Sequence, residues 1–199
     1  MKVVRLSIEN FRSIKSAELK FDGHCLMVGP NNIGKSTICE ALDLVLGPDR
    51  TSRFPPIEEF DFYNAKYFIQ GEVEGEEPRA IPIKIEVVLT DINPEVENRC
   101  AQHLEFWNTA EKRLLDEGEI DQANPPLVVS CLRLETIGVY NPEEDEFEAQ
   151  TYYSHSPSAG IDKLDKVGKD VKRMFGFLYL RAIRTGSRAL SLERGSLLD

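Results

Sequence analysis

Long apolar runs are missing from this 199-residue chain. None approaches the ~18 consecutive apolar positions that a membrane-spanning helix needs. The N-terminus, Met1-Lys2-Val3-Val4-Arg5, has no signal-peptide core, because Arg5, Ser7 and Glu9 interrupt its apolar residues. Cysteine is scarce and scattered. The four stand at positions 25, 39, 100 and 131, no two within four residues, which excludes a CxxC zinc or redox motif. They are expected as reduced core thiols, and without a secretion signal the expected compartment is the cytoplasm. His24, His103 and His155 lack the spacing of metal ligands and are expected at the surface or at sheet edges. Positive charge is the minority sign. The 24 basic side chains face 34 acidic ones, a net charge of −10, which excludes a protein that coats DNA uniformly. The sequence shows neither internal repeats nor low-complexity tracts.

What is there is ordinary globular composition, 41% hydrophobic and 29% charged, in a chain long enough to bury its own core. Residues 3–9 alternate, with Val4, Leu6 and Ile8 on one face, and residues 17–21 alternate again with Ala17, Leu19 and Phe21. These stretches predict two antiparallel strands joined by a short link. Cys25-Leu26-Met27-Val28 is an unbroken apolar run, the pattern of a strand buried on both faces. A helix rich in apolar residues is expected from Lys35 to about Leu46, stopped by Gly47-Pro48. Residues 49–79 are turn-rich and acidic. The alternation of Ile81, Ile83, Ile85, Val87 and Leu89 predicts another strand. Asn93-Pro94 is a helix start, and Val96, Cys100, Leu104, Trp107 and Leu114 predict a long helix towards Gly118, with Trp107 in the core. Residues 127–137 and 146–153 read as a strand pair joined by an acidic turn. From 162 to 194 the charge flips, nine bases against four acids. A helix over about 162–175 would expose Lys163, Lys166, Lys169, Lys172 and Arg173, followed by a buried strand at Phe177–Leu180.

The chemistry is concentrated in Gly29-Pro30-Asn31-Asn32-Ile33-Gly34-Lys35-Ser36-Thr37, a complete match to the P-loop pattern GxxxxGK[ST]. In such a loop backbone N–H groups turn inward around phosphates, and glycine allows both the turn and the close approach. Lys35 would neutralise the β- and γ-phosphate oxygens of ATP. Ser36 would offer its hydroxyl to Mg²⁺, with the following helix presenting its positive end. Asn31 and Asn32 are loop-forming residues that tolerate left-handed backbone, and Asn32 is expected against the phosphates.

Two strands precede this loop, with Ile8-Glu9-Asn10-Phe11-Arg12-Ser13-Ile14 between and around them. That arrangement resembles the ATP-binding heads of the SMC, RecF and OLD (overcoming lysogenization defect) families. The Asn-Ile before Gly34 and the stretch from Tyr179 to Ser196 look most like the OLD branch. The N-terminal match spans about 1–47 and the C-terminal one about 177–199, while 48–176 carries little family signal. The resemblance implies an α/β domain of ABC/SMC type, with a mixed sheet around the P-loop helix and an antiparallel β-subdomain. It divides the chain into a P-loop core (1–47), inserted strands and helix (about 80–153) and a basic helix-strand segment (162–199). It implies ATP and Mg²⁺ as cofactors, a phosphate contact from Arg12, a homodimer formed through the ATPase heads, and DNA as the partner of the full-length protein.

Several parts of such an ATPase are not in the sequence. There is no apolar strand ending in Asp-Glu (Walker B), no LSGG signature, and no glutamine where SMC heads sense Mg²⁺; Arg181, Arg184 and Arg188 stand there instead. Those arginines are read either as DNA or phosphate contacts or as a solvated basic face. The nearest Walker B imitation is Glu86-Val87-Val88-Leu89-Thr90-Asp91, whose alternation fits a one-sided strand better. The chain is therefore expected to be the N-terminal part of a longer ATP-dependent endonuclease, inactive as an ATPase alone, with catalytic residues unassigned. A RecF/SMC-type repair ATPase without nuclease, a non-catalytic ATP switch and a small P-loop kinase are the competing readings. The kinase reading is opposed by the two strands that precede the P-loop.

Overall fold

Period-two alternation at the N-terminus becomes an antiparallel hairpin in the computed structural model, which describes residues 1–31, 33–50, 53–69, 79–120, 125–157 and 164–180. Strand β1 (Lys2–Phe11) turns through Arg12-Ser13 into β2 (Ile14–Lys20). Leu6 lies opposite Leu19 and Ile8 opposite Ala17, so the apolar residues share one face. Helix α1 (Lys35–Leu46) follows the P-loop and ends at Gly47, whose N–H donates to the Asp43 carbonyl at 2.9 Å. Then come β3 (Phe68–Ile69), β4 (Arg79–Ala80), β5 (Ile83–Thr90), α2 (Pro94–Arg99), β6 (Leu104–Asn108) and β7 (Arg113–Leu115). The described chain continues with α3 (Glu117–Ile120), β8 (Val128–Asn141), β9 (Glu146–Tyr153) and α4 (Lys169–Met174).

Seven strands form one sheet in the order β2-β1-β5-β8-β6-β7, with β9 also paired to β8. Every described ladder in it is antiparallel. The 14-residue β8 organises the sheet: β6 pairs with its first part and β9 with its second. One face receives α1. Leu6, Ile8, Ile85, Val87, Leu132 and Leu134 meet Ala41, Leu44, Val45 and Leu46 there, all fully buried. The other face holds a smaller cluster of Val88, Trp107 and Cys131. It also holds a cross-strand charge ladder, with Arg5 bonded to Glu86 at 2.5 Å and Arg133 gripping Glu105 at 2.8 and 2.9 Å. Asn93 caps α2 as expected, its Oδ1 accepting the Val96 N–H at 2.8 Å.

The structure corrects several expectations. Cys25–Val28 joins no strand ladder among the described residues; Leu26 is 87% and Val28 81% exposed, and Cys25 is exposed too. A doubly buried strand needs neighbours on both sides, and the described sheet offers none to this segment. The long helix after Pro94 is six residues; Leu104–Leu115 forms a hairpin instead, because Phe106 and Trp107 suit a strand and β8 lies alongside to pair with it. Helix α4 is also only six residues, since Lys166 is drawn into a β-bridge with Tyr152 and Gly168 stands at the N-cap. Phe177–Leu180 is neither strand nor buried, with Leu178 75% exposed. His103 is buried rather than superficial. Its ring stacks on Tyr153 at 3.8 Å, and Nδ1 donates to the His155 carbonyl at 2.8 Å.

Candidate functional site

The β1–β2 turn lies along the start of α1, and the site is built where they meet. Gly34 is the N-cap residue, left-handed at φ 94° and ψ 5°, a conformation glycine adopts without steric cost. A Cβ there would lie 3.3 Å from the Ser13 Oγ, a tight contact that adds to the backbone requirement for glycine. At Gly29 a Cβ would meet the Ile33 side chain, with Cδ1 at 2.4 Å, but Ile33 is exposed and its tip can move aside. The Lys35 ammonium reaches back over the loop and donates to the carbonyls of Gly29 at 2.7 Å and Pro30 at 2.5 Å. Ser36 is exposed on the first turn, which carries no acidic residue, and no side chain caps the helix. Free N–H groups at a helix start, a lysine and no nearby first-turn carboxylate make an electropositive cradle whose donors suit phosphate oxygens.

The Thr37 side chain packs against the β1–β2 turn. It is buried, with its hydroxyl 3.0 Å from that of Ser13. Asn31 and Ile33 are exposed, and Asn32 lies outside the described residues. Arg12, at φ 50°, does come to the P-loop helix. Its Nη1 pairs with Glu40 of α1, and its Nε donates to the Asp61 Oδ1 at 2.7 Å. The Arg12 main-chain N–H donates to the carbonyl oxygen of the same Asp61, again at 2.7 Å. Asp61 is 5% exposed, and its Oδ2 accepts the Glu58 N–H at 3.1 Å and faces Arg50 at 3.6 Å. Glu40, Asp61 and Ser13 were not singled out by the sequence. Glu40 carries a signal, as it stands four residues after Ser36 and so one turn along the same helix face. Asp61 carries none, because 49 residues separate it from Arg12.

Asp91 follows the last residue of β5 and is paired at 2.7 Å to Lys2, at the start of β1. The P-loop meets the opposite end of that strand. At ~3.3 Å per residue the two ends are roughly 30 Å apart, so Asp91 cannot serve as a Walker B carboxylate. The basic stretch gives no lysine-lined helix face among the described residues: Lys172 is 2% exposed and Lys169 is paired with Asp49 at 2.5 Å. Lys163, Arg181, Arg184 and Arg188 lie outside the described residues. No described helix is long and apolar enough to cross a membrane, and no cluster of metal-ligating side chains occurs among the described residues.

Fold and loop together define a P-loop ATPase of α/β architecture. The chain belongs to the AAA ATPase domain family, whose model matches residues 1–177. It is similar to the DNA double-strand break repair Rad50 ATPase of Methanopyrus kandleri, 48% identical over 52 residues, 26% of this chain and 6% of that protein. The OLD nuclease of Thermus scotoductus is 46% identical over 43 residues, 22% of this chain and 8% of the nuclease. The DNA replication and repair protein RecF of Magnetococcus marinus is 39% identical over 74 residues, 36% of this chain and 19% of RecF. The chain thus spans at most 19% of the length of these relatives. It is an ATPase domain of the superfamily that includes Rad50, RecF and OLD.

Proposed function

We propose that this chain binds ATP and Mg²⁺ through Gly29–Thr37 as the N-terminal ATPase section of an OLD-type ATP-dependent DNA endonuclease. The observation that carries the reading is the start of α1: an uncapped helix N-terminus, a left-handed Gly34 and Lys35 poised over the loop carbonyls. Lys35 exchanges those carbonyls for β- and γ-phosphate oxygens. The Ser36 hydroxyl, exposed on the first turn, holds the metal. Bound Mg²⁺ supplies charge neutralisation across the phosphates. Main-chain N–H groups of the loop line the anion, and Arg12 adds a guanidinium from the neighbouring turn. The full-length protein works in the cytoplasm as a homodimer whose heads engage around ATP and so control DNA processing. The OLD assignment is supported by Asn32-Ile33 before Gly34 and by the similarity to the Thermus scotoductus nuclease.

A RecF/SMC-type repair ATPase without nuclease is favoured by the Rad50 and RecF similarities. ATP-dependent cleavage of DNA by the full-length protein separates the two. Nucleotide binding itself is tested by Lys35→Ala, which removes a charge from a loop and no core atoms. The variant is expected to melt like the parent and to lose binding of an ATP analogue. Parental affinity in the variant would refute the P-loop reading.

A further inference from the structure

We infer that Asp61 is a positioning residue for the nucleotide site, acting through Arg12; the inference rests on the phosphate role proposed for that arginine. Arg12 sits in left-handed backbone on a two-residue turn, a conformation that costs a non-glycine residue and needs surrounding contacts to hold it. One residue provides two of them. The Asp61 carbonyl oxygen accepts the Arg12 main-chain N–H, and the Asp61 carboxylate accepts the Arg12 Nε–H, both at 2.7 Å. The backbone and the root of the guanidinium are therefore fixed by the same side.

Asp61 is itself held firmly. Its carboxylate is 7% exposed, caps its own short helix through the Glu58 N–H, and is flanked by Arg50 at 3.6 Å. Two arginines compensate its charge, so it adds little repulsion towards an incoming anion. On the far side Glu40 takes the Arg12 Nη1. The guanidinium has five N–H donors; Nε and Nη1 are engaged, and among the described residues Nη2 makes no hydrogen bond. With 33% of its side chain exposed, Arg12 presents that open edge beside the helix that follows the P-loop. Such an arginine is preorganised. Its ordering is met by Asp61 and Glu40 before ligand arrives, which improves affinity for an anion without any new ligand contact.

The test is a double-mutant cycle read by anisotropy of a fluorescent ATP analogue (mant-ATP with Mg²⁺) on the 199-residue chain, with Lys35→Ala as reference. Asp61→Asn is expected to weaken binding roughly tenfold, the worth of about one charge-assisted hydrogen bond. Arg12→Ala is expected to weaken it at least as much. In the Arg12→Ala background Asp61→Asn should then have no further effect, because its influence passes through Arg12. A merely structural role would add in full in both backgrounds, and that result would overturn the inference. Arg12→Lys keeps the charge but not the forked Nε contact, and should reproduce the loss even where Asp61→Asn folds poorly; parental affinity in Arg12→Lys also overturns it. If Lys35→Ala removes binding while the Arg12 and Asp61 variants keep it, the nucleotide reading stands and the positioning role falls. If Lys35→Ala binds like the parent, both fall.

Discussion

Lys172 shows how much a single buried ionisable group can govern here. Its ammonium lies 2.7 Å from the Thr151 hydroxyl and 3.5 Å from the Leu44 carbonyl near the end of α1, with the residue 2% exposed. Burial lowers its pKa from the ordinary 10.5 to about 8, with the Asp43 charge opposing the fall. Between those two values the unfolded chain holds a proton that the folded chain has released. Stability linked to this group therefore rises as pH increases from about 8 towards 10.5, and the group is a burden at neutral pH. Other groups titrate in the same range, so the measurement is a difference. Denaturant melts of the parent and of Lys172→Met, at pH 7.5 and again at 10.5, should move relative to one another in favour of the parent. The upper bound is roughly 3 kcal/mol, at about 1.4 kcal/mol per pKa step. A stability difference that is the same at both pH values would refute the depressed pKa.

At the level of elements, the segment before Asp61 is clamped to the sheet at one point on β8. Gly138 lies opposite Ile83 of β5 and Ala149 of β9, and a Cβ on it would stand 2.7 Å from the Ile57 Cδ1. Ile57 is fully buried, so it has little room to yield. Gly138→Ala should cost about 1–3 kcal/mol through overpacking. It should also speed hydrogen exchange at the Arg12 N–H, whose acceptor is carried by the same segment; a lowered Tm with unchanged exchange there would disconnect the clamp from the turn. The elements that form this framework were legible where one period dominated. Alternation revealed the β1–β2 hairpin, β5 and the β8–β9 pair, and the apolar run stopped by Gly47-Pro48 revealed α1. The region 94–118 misled because Val96, Cys100, Leu104, Trp107 and Leu114 imitate helical spacing, whereas pairing of Leu104–Asn108 with β8 decides the outcome. At Cys25–Val28 composition suggested burial, but burial of a strand depends on neighbours that local sequence does not contain. The P-loop was fully legible as a contiguous motif. The Arg12–Asp61–Glu40 arrangement was not, since it joins three separated segments by hydrogen bonds that no spacing rule encodes.

On the scale of the whole molecule, the sheet places its acids away from the P-loop helix start or ties them up. Asp91 is held by Lys2 at the far end of β1, Asp61 is shared by Arg12 and Arg50, and Glu40 is engaged by Arg12. Glu86 and Glu105 belong to the charge ladder on the face opposite α1. Hydrolysis of ATP needs more than a phosphate cradle; a positioned group must orient the attacking water. The two carboxylates seen beside that helix start, Glu40 and Asp61, are already engaged by arginines. The 199-residue chain should accordingly bind ATP and Mg²⁺ yet release phosphate far more slowly than ~1 s⁻¹, the low end of ordinary enzymes. The measurement is steady-state phosphate release at saturating ATP, with Lys35→Ala as the blank. Turnover reaching that rate, and lost in Lys35→Ala, would mean that a carboxylate of this chain reaches the γ-phosphate. The acidic stretch at 58–77 would then be the place to seek it, by exchanging Glu72, Glu74, Glu76 and Glu77 for glutamine in turn. Turnover equal in the parent and in Lys35→Ala would trace to a contaminant and leave the expectation of a binding-only chain intact.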